Sequence, residues 1–392
     1  MKIKFADRLN RVEEYYFSRK LKEIAVLRAS GIDVINLGIG SPDLAPAPQV
    51  VDTLVTESRR PDTHAYQSYS GIPALREAFS VWYRKYFHVA LSPENEILPL
   101  MGSKEGIMHL SMAFLNPGDE VLVPNPGYPA YAAVARLLGA QVHYYPLEEE
   151  NHWLPDLKKL EASDLSKVKI MWVNYPNMPT GAKASFDLFE ALVDFGKRNN
   201  ILIVNDNPYG FILNDEPLSL LQVEGAKEVA MELNSLSKSH NMAGWRIGMV
   251  AGRPEFIRAV LQVKSNMDSG MFKPLQLAAA EALRLPDSWY GQLNAIYRKR
   301  REWAYKILEI LQCNVNKEQV GMFVWAKIPA EYESSEQFSD EVLKQTAVFL
   351  TPGFIFGSAG ERYVRLSLCT KELRLREAAK RVEKIMVKEG KV

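Results

Sequence analysis

Short apolar runs alternate with longer stretches of helical period through the middle of this chain. The runs are Glu96–Leu100, Glu120–Pro124, Gln141–Tyr145, Lys169–Asn174, Ile201–Asn205, Val229–Asn234 and Ile247–Ala251. Each has the length and residue types of a β-strand. Between many of them apolar residues recur at helical spacing, as over Lys104–Leu115, Ala130–Leu138, Phe186–Asn199 and Pro254–Ser265. Strands that alternate with helices predict a mostly parallel sheet with helices on both faces. Ile170–Val173 and Ile201–Val204 are apolar throughout, as strands buried on both sides are.

The ends have a different rhythm. Residues 9–30 read as a helix closed by Gly31, a residue type suited to the left-handed position after a helix. A long helix is predicted over Ser288–Leu311. Strands follow at Met322–Ile328, Val348–Leu350 and Tyr363–Leu368, with a helix at Ser335–Thr346 and a closing helix from Glu372. The expected fold class is therefore α/β, a mostly parallel central sheet with helices on both faces, plus a smaller α+β domain. The changes of pattern divide the chain into an N-terminal segment, 1–45, that joins the small domain, a large domain, 46–285, and a C-terminal small domain, 286–392. No repeat, low-complexity tract or Gly/Ser/Pro-rich linker interrupts it. Asn116-Pro117-Gly118-Asp119 and Gly38-Ile39-Gly40-Ser41-Pro42 punctuate as turns.

Composition narrows the partners. At 392 residues and 47% hydrophobic content the chain can fill two domain cores. Lys and Arg number 48 against 47 Asp and Glu, a net charge of +1. That balance excludes binding to nucleic acid or a membrane surface through bulk charge. No apolar stretch is long enough to span a bilayer, and the N-terminus reaches Asp7 without the apolar core of a secretory signal. Two cysteines, Cys313 and Cys369, cannot make a disulfide framework, although a single bridge stays open. The expectation is a soluble cytoplasmic protein acting on small molecules, with no metal site.

In a sheet of this kind ligands sit outside the carboxyl ends of the strands, and the unusual segments fall there. In Ser235-Leu236-Ser237-Lys238 a lysine follows an apolar strand, among small hydroxyl residues. Desolvation or a nearby cation lowers a lysine's pKa and makes its amine a Schiff-base nucleophile. Arg246, in a Gly-flanked turn, can join Ser235 and Ser237 in holding a phosphate. The competing reading is a buried lysine paired with a carboxylate. Gly102-Ser103-Lys104-Glu105-Gly106 follows a strand and opens a helix, a place where backbone N–H groups bind anions; a plain N-cap is the alternative. It is not a Walker A loop, and no Gly-x-Gly-x-x-Gly follows a strand.

Asp206-Asn207-Pro208-Tyr209 puts a carboxylate at the end of a buried strand, where it needs a partner or a task; a loop-capping Asp is the common case. Asn125-Pro126-Gly127-Tyr128-Pro129 presents an aromatic ring on a rigid turn, as a stacking platform or as ordinary packing. In Tyr363-Val364-Arg365-Leu366-Ser367, alternation sets Arg365 opposite Val364 and Leu366, either gripping a carboxylate or facing solvent. Together these segments supply a Schiff-base lysine, an anion cradle, a carboxylate, an aromatic platform and a carboxylate clamp. Those are the needs of pyridoxal 5'-phosphate (PLP) acting on an amino acid.

Over residues 20–385 the chain resembles the class I/II aminotransferases of the aspartate aminotransferase fold, PLP fold type I, and these motifs occur in the family's order. The resemblance makes Lys238 the PLP lysine and Ser235 and Arg246 phosphate ligands. Gly102, Ser103 and Lys104 correspond to the phosphate-cradling helix start, Tyr128 to the ring-stacking aromatic, and Asp206 to the carboxylate facing the pyridine nitrogen. Tyr209 corresponds to the phenol on the cofactor's O3′, Arg365 to the arginine for the substrate α-carboxylate, and Ile39-Gly40 to the loop closing over it. Tyr66, with Gly71 and Leu75-Arg76 beyond, is similar to a tyrosine that reaches the phosphate across a dimer interface, which implies a homodimer with shared active sites.

The sequence departs from the family in one place. Pro176-Asn177-Met178-Pro179-Thr180-Gly181 carries Met178 where the family has the Asn that donates to O3′. Tyr209 then acts alone, or Asn177 or Asn174 reaches in. A less stabilised phenolate implies a more basic imine on Lys238. The motifs are most similar to two groups, the alanine or glutamate–pyruvate aminotransferases and the LL-diaminopimelate or succinyl-diaminopimelate aminotransferases of amino-acid biosynthesis. The implied activity is transfer of an amino group from an L-amino acid (alanine, glutamate or LL-diaminopimelate) to a 2-oxo acid by a ping-pong mechanism. The rivals are a PLP-dependent C–S or β-lyase or decarboxylase, a PLP-binding regulator, and a nucleotide-binding α/β protein. The regulator would need a helix-turn-helix extension ahead of Ile35-Asn36-Leu37, and the nucleotide-binding protein a fingerprint the chain lacks. His240, beside the lysine, reads as structural.

Overall fold

The computed structural model describes residues 3–12 and 16–388. The central sheet has seven strands: β1 (Ile97–Leu100), β2 (Glu120–Asn125), β3 (Gln141–Pro146), β4 (Val168–Val173), β5 (Leu202–Asp206), β6 (Ala230–Ser235) and β7 (Gly248–Ala251). Their order is β1-β7-β6-β5-β4-β2-β3. β7 runs antiparallel to both neighbours, and the other pairings are parallel. β1 therefore points the same way as β6, and the carboxyl ends of every strand but β7 share one edge.

Apart from the largely exposed edge strand β3, the sheet is covered on both faces, which is why its strands lack polar alternation. Along β4, Ile170 and Trp172 join Leu110, Tyr131 and Val260 on one side, while Met171 and Val173 join Phe79, Phe189 and Leu192 on the other. Helices Ser103–Phe114, Ala130–Leu137 and Pro254–Lys264 cover the first side; Pro73–Phe87 and Phe186–Asn199 cover the second. Each large apolar side chain buried this way contributes about 1.5–3 kcal/mol.

The C-terminal layer is an antiparallel sheet of Thr351–Pro352, Tyr363–Ser367, Phe323–Lys327 and Asn314–Val315, with helices Asp287–Ile310, Ser335–Thr346 and Glu372–Lys388. The N-terminal segment is tied to it. Ile35–Asn36 pairs in parallel with Val348–Phe349, and Ser367 N–H donates to the Leu37 carbonyl at 2.7 Å. This lays Gly38–Gly40 across the carboxyl edge of the central sheet.

The continuous helix expected over 9–30 is replaced by a 3-10 turn at Asp7–Arg11 and an α-helix at Tyr16–Ala29. Val12 between them is extended, at φ −136° and ψ 143°. No residue of Asp7–Arg11 is buried, so no packed face carries the helix through it; residues 13–15 lie outside the described part. Gly31 adopts φ +91°, as a residue after a helix end should. Among the described residues no helix is long and apolar enough to cross a membrane. Cys313 and Cys369 are both free and buried.

Candidate active site

A cavity of about 390 Å³ opens at the carboxyl edge of the sheet, walled on its far side by Ile39–Ser41 and the C-terminal layer. Lys238, Asp206, Tyr209, Tyr128, Ser103, Lys104, Ser235, Ser237, Arg246, Ile39, Gly40 and Arg365 all line it. Residues that the sequence scatters over more than three hundred positions thus converge on one space.

Lys238 enters from the short helix Leu236–Ser239 that follows β6. Its Nζ donates to the Gly40 carbonyl at 2.6 Å. Burial lowers its pKa first of all, and the cations Arg365 and Arg246 lower it further, against the opposing influence of Cys369 and Asp206. A buried amine among cations gives up its proton more readily and becomes nucleophilic.

Asp206 ends β5. Its Oδ2 accepts from the Tyr131 hydroxyl at 2.9 Å, while Oδ1 is buried with no hydrogen-bond partner. Burial pushes its pKa up to about 7, against the lowering effects of Tyr131 and Lys238. A buried carboxylate with an oxygen unmatched is suited to a proton-bearing group from outside the chain.

The segment expected to cradle an anion is built on glycine. Gly102 has φ +84°, and a Cβ there would collide with the Arg246 guanidinium; the helix begins at Ser103. Arg246 Nη1 donates to the Ala243 carbonyl at 2.9 Å and lies 3.4 Å from Ser237 Oγ, which is 2.9 Å from Ser235 Oγ. Lys104, at the helix start, is exposed and lines the cavity.

Arg365 is buried, which excludes the solvent-facing reading. Its Nη2 donates to the Gly38 carbonyl at 2.8 Å, and Nη1 lies 3.2 Å from Met178 Sδ. Its guanidinium carbon sits 3.9 Å from the Phe323 ring centre and 4.7 Å from that of Phe356. These neighbours come from three distant parts of the chain. Tyr209 meets Phe323 edge-on at 5.7 Å, and burial pushes its phenol well above its ordinary pKa.

Asn174 rather than Asn177 joins Met178 on the cavity wall. Asn174 Oδ1 accepts from Met178 N–H at 2.9 Å, and its Nδ2 donates to the Asp206 carbonyl. Asn177 Oδ1 is engaged by Thr180, whose hydroxyl is 2.7 Å away, so that side chain braces its own loop. Tyr66 is 89% exposed and is not part of the cavity wall of its own chain. His240 is buried between Ser239 Oγ at 2.8 Å and the Tyr290 hydroxyl at 3.2 Å, and burial lowers its pKa to about 3. Sequence reasoning missed Tyr131, which sits in the first turn of helix Ala130–Leu137, three residues after Tyr128 of the preceding turn.

The chain matches the family model of aminotransferase class I and II over residues 32–382. It is 43% identical over 368 residues to an LL-diaminopimelate aminotransferase of Dehalococcoides mccartyi, covering 93% of this chain and 95% of that protein. Its fold is similar to that of BacF from Bacillus subtilis, with a TM-score of 0.94 and 38% identity over 98% of each chain. A mutant aspartate aminotransferase of Thermus thermophilus superposes with a TM-score of 0.91 and 26% identity, covering 98% of this chain and 100% of that one.

Proposed function

We propose a cofactor and a donor for this chain from one premise: it belongs to the class I and II aminotransferases and is a transaminase, moving an amino group from an L-amino acid to a 2-oxo acid. PLP is the cofactor in this reading. The observation that carries it is the unmatched Oδ1 of buried Asp206 in a cavity that Lys238 also enters. Oδ1 fits a protonated ring nitrogen, the glycine-built cradle beside Arg246 fits a phosphate, and the amine of Lys238 fits an aldehyde.

Bound there, PLP supplies a carbonyl that takes the amino group and a ring that accepts the electrons left at Cα. Asp206, as an anion, holds the proton on the ring nitrogen. Arg365 grips the α-carboxylate of the donor with its planar fork. Lys238 would hold the cofactor through its amine, and the same amine, when free, would be the base that moves the Cα proton. Ile39 and Gly40 would cover the carboxylate, and Tyr128 and Tyr209, which line the same cavity, would hold the ring and its O3′.

A homodimer completes the site. The loop bearing Tyr66 packs against the segment around Phe272, with the His64 and Phe272 rings 5.8 Å apart. Tyr66, Tyr69, Met267 and Phe272 are all exposed there, a surface suited to a second copy; Tyr66 would then serve the phosphate of the partner's site. Residues 46–285 carry the cofactor, and 1–45 with 286–392 form the unit that closes over it. Two free buried cysteines suit a reducing cytoplasm.

The donor we favour is LL-diaminopimelate, the substrate in the names of relatives 40–43% identical over nearly the whole chain. A second reading, a donor with an apolar side chain, is favoured by the cavity wall. Among the described residues Asp206 is the one carboxylate lining it, while Phe17, Leu21, Phe323 and Phe356 line it too. The test is to load the protein with PLP and add LL-diaminopimelate, alanine, glutamate or phenylalanine singly. A visible band that bleaches with one donor and returns with a 2-oxo acid names the donor. Release of ammonia and pyruvate without an acceptor would instead identify a lyase.

A further inference from the structure

Tyr131 is fully buried in the first turn of helix Ala130–Leu137. Its ring lies flat on Trp172 of β4, with centroids 4.8 Å apart and planes 7° from parallel, and meets Tyr128 edge-on at 5.6 Å. The stack leaves the ring no freedom to swing, so its hydroxyl is fixed 2.9 Å from Asp206 Oδ2. Burial keeps that phenol protonated at any physiological pH, so it can only donate to the carboxylate. The geometry assigns Tyr131 as a positioning residue that holds Asp206 by one oxygen and so presents the other, as an anion, to the ring nitrogen of the cofactor.

The groups around Asp206 leave this task to Tyr131. Glu232, on the next strand, opposes ionisation of Asp206, and Tyr209 carries no charge to offset it. Lys238 favours ionisation, but its own charge is weakened by burial, and a base that takes up and releases the Cα proton does not hold a constant charge. A hydrogen bond to the charged form stabilises that form. Tyr131 is thus the neighbour whose support for the Asp206 anion does not change as the reaction proceeds.

This inference deepens the PLP reading, and its test separates the two. The full chain, freed of cofactor and carrying [4-13C]aspartate, is titrated by infrared difference spectroscopy; the Asp206 carboxyl band is the one lost in Asp206→Asn. In Tyr131→Phe, which keeps the stack on Trp172, the midpoint of that band rises by about one pH unit. Replacing Tyr131 with 3,5-difluorotyrosine, a stronger donor, lowers it. An unchanged midpoint in both variants would overturn the assignment. With 15N-labelled PLP bound, the ring-nitrogen resonance in Tyr131→Phe shifts toward the unprotonated position between pH 6 and 8; an unchanged resonance would also overturn it. If the wild-type chain takes up no PLP, the cofactor reading fails, while the infrared midpoint still decides the role of Tyr131.

Discussion

Two buried carboxylates stand on neighbouring strands and face opposite sides of the central sheet. Glu232 on β6 pairs with Asn205 and shares its face, while Asp206, the next residue along β5, points to the other. Glu232 is fully matched: Oε1 accepts from the Tyr83 hydroxyl at 2.9 Å, and Oε2 from Asn205 Nδ2 at 2.9 Å and Leu220 N–H at 3.0 Å. Asp206 has Tyr131 on one oxygen and no hydrogen bond on the other. Burial raises the pKa of both. What separates a structural carboxylate from one kept for a ligand is therefore not depth but the count of donors the chain itself provides.

The largest expected contrast is in activity. Asp206→Asn cuts the rate of the transamination half-reaction by roughly 10²–10⁴-fold, and Glu232→Gln leaves most of it; single-turnover absorbance with the preferred donor measures both. The contrast reverses in stability. Glu232→Ala strands the donors of Tyr83, Asn205 and Leu220 and costs on the order of 3 kcal/mol in urea unfolding of the cofactor-free protein.

Asp206→Asn does the opposite. The Asp206 pKa rises from 3.8 to about 7 on folding, so the folded state favours the protonated form. Its contribution is most favourable below pH 4 and is lost as pH rises through 7. Removing the charge therefore stabilises the cofactor-free protein by on the order of 2–4 kcal/mol at pH 8. The gain disappears at pH 4; a gain independent of pH would break the comparison. The smallest effect concerns donor count at the other end of the cofactor. Met178→Asn, adding a donor beside Tyr209, lowers the pKa of the visible band by about one unit; an unchanged or raised value contradicts the O3′ account.

Much of this was legible in the sequence. The strands of the central sheet lie within a residue or two of the apolar runs, because a strand buried on both faces writes its length directly into hydrophobicity. Lys238 and Asp206 announced themselves as polar residues where apolar strands end, and Arg246 as one where an apolar strand begins. Tyr131 did not, because a tyrosine on the inner face of an amphipathic helix reads as packing. Arg365 was ambiguous because alternation gives a face but not what covers it; the cover comes from Phe323, Phe356 and Gly38. Whether Asn174 or Asn177 reached the cavity turned on the path of one loop, and the donors that match Glu232 come from Tyr83, Asn205 and Leu220, far apart in the chain. These are facts of three-dimensional neighbourhood, which periodicity does not encode.

The central claim, that the unmatched oxygen of Asp206 is the seat of the cofactor's ring nitrogen, is tested most directly by a crystal structure of the PLP-loaded protein. The account predicts Asp206 Oδ1 within hydrogen-bond distance of the ring nitrogen, Oδ2 still on Tyr131, and the phosphate between the Ser103 helix start and Arg246. A ring nitrogen facing any other residue, or an Asp206 turned away from it with both oxygens matched by the chain, would contradict it.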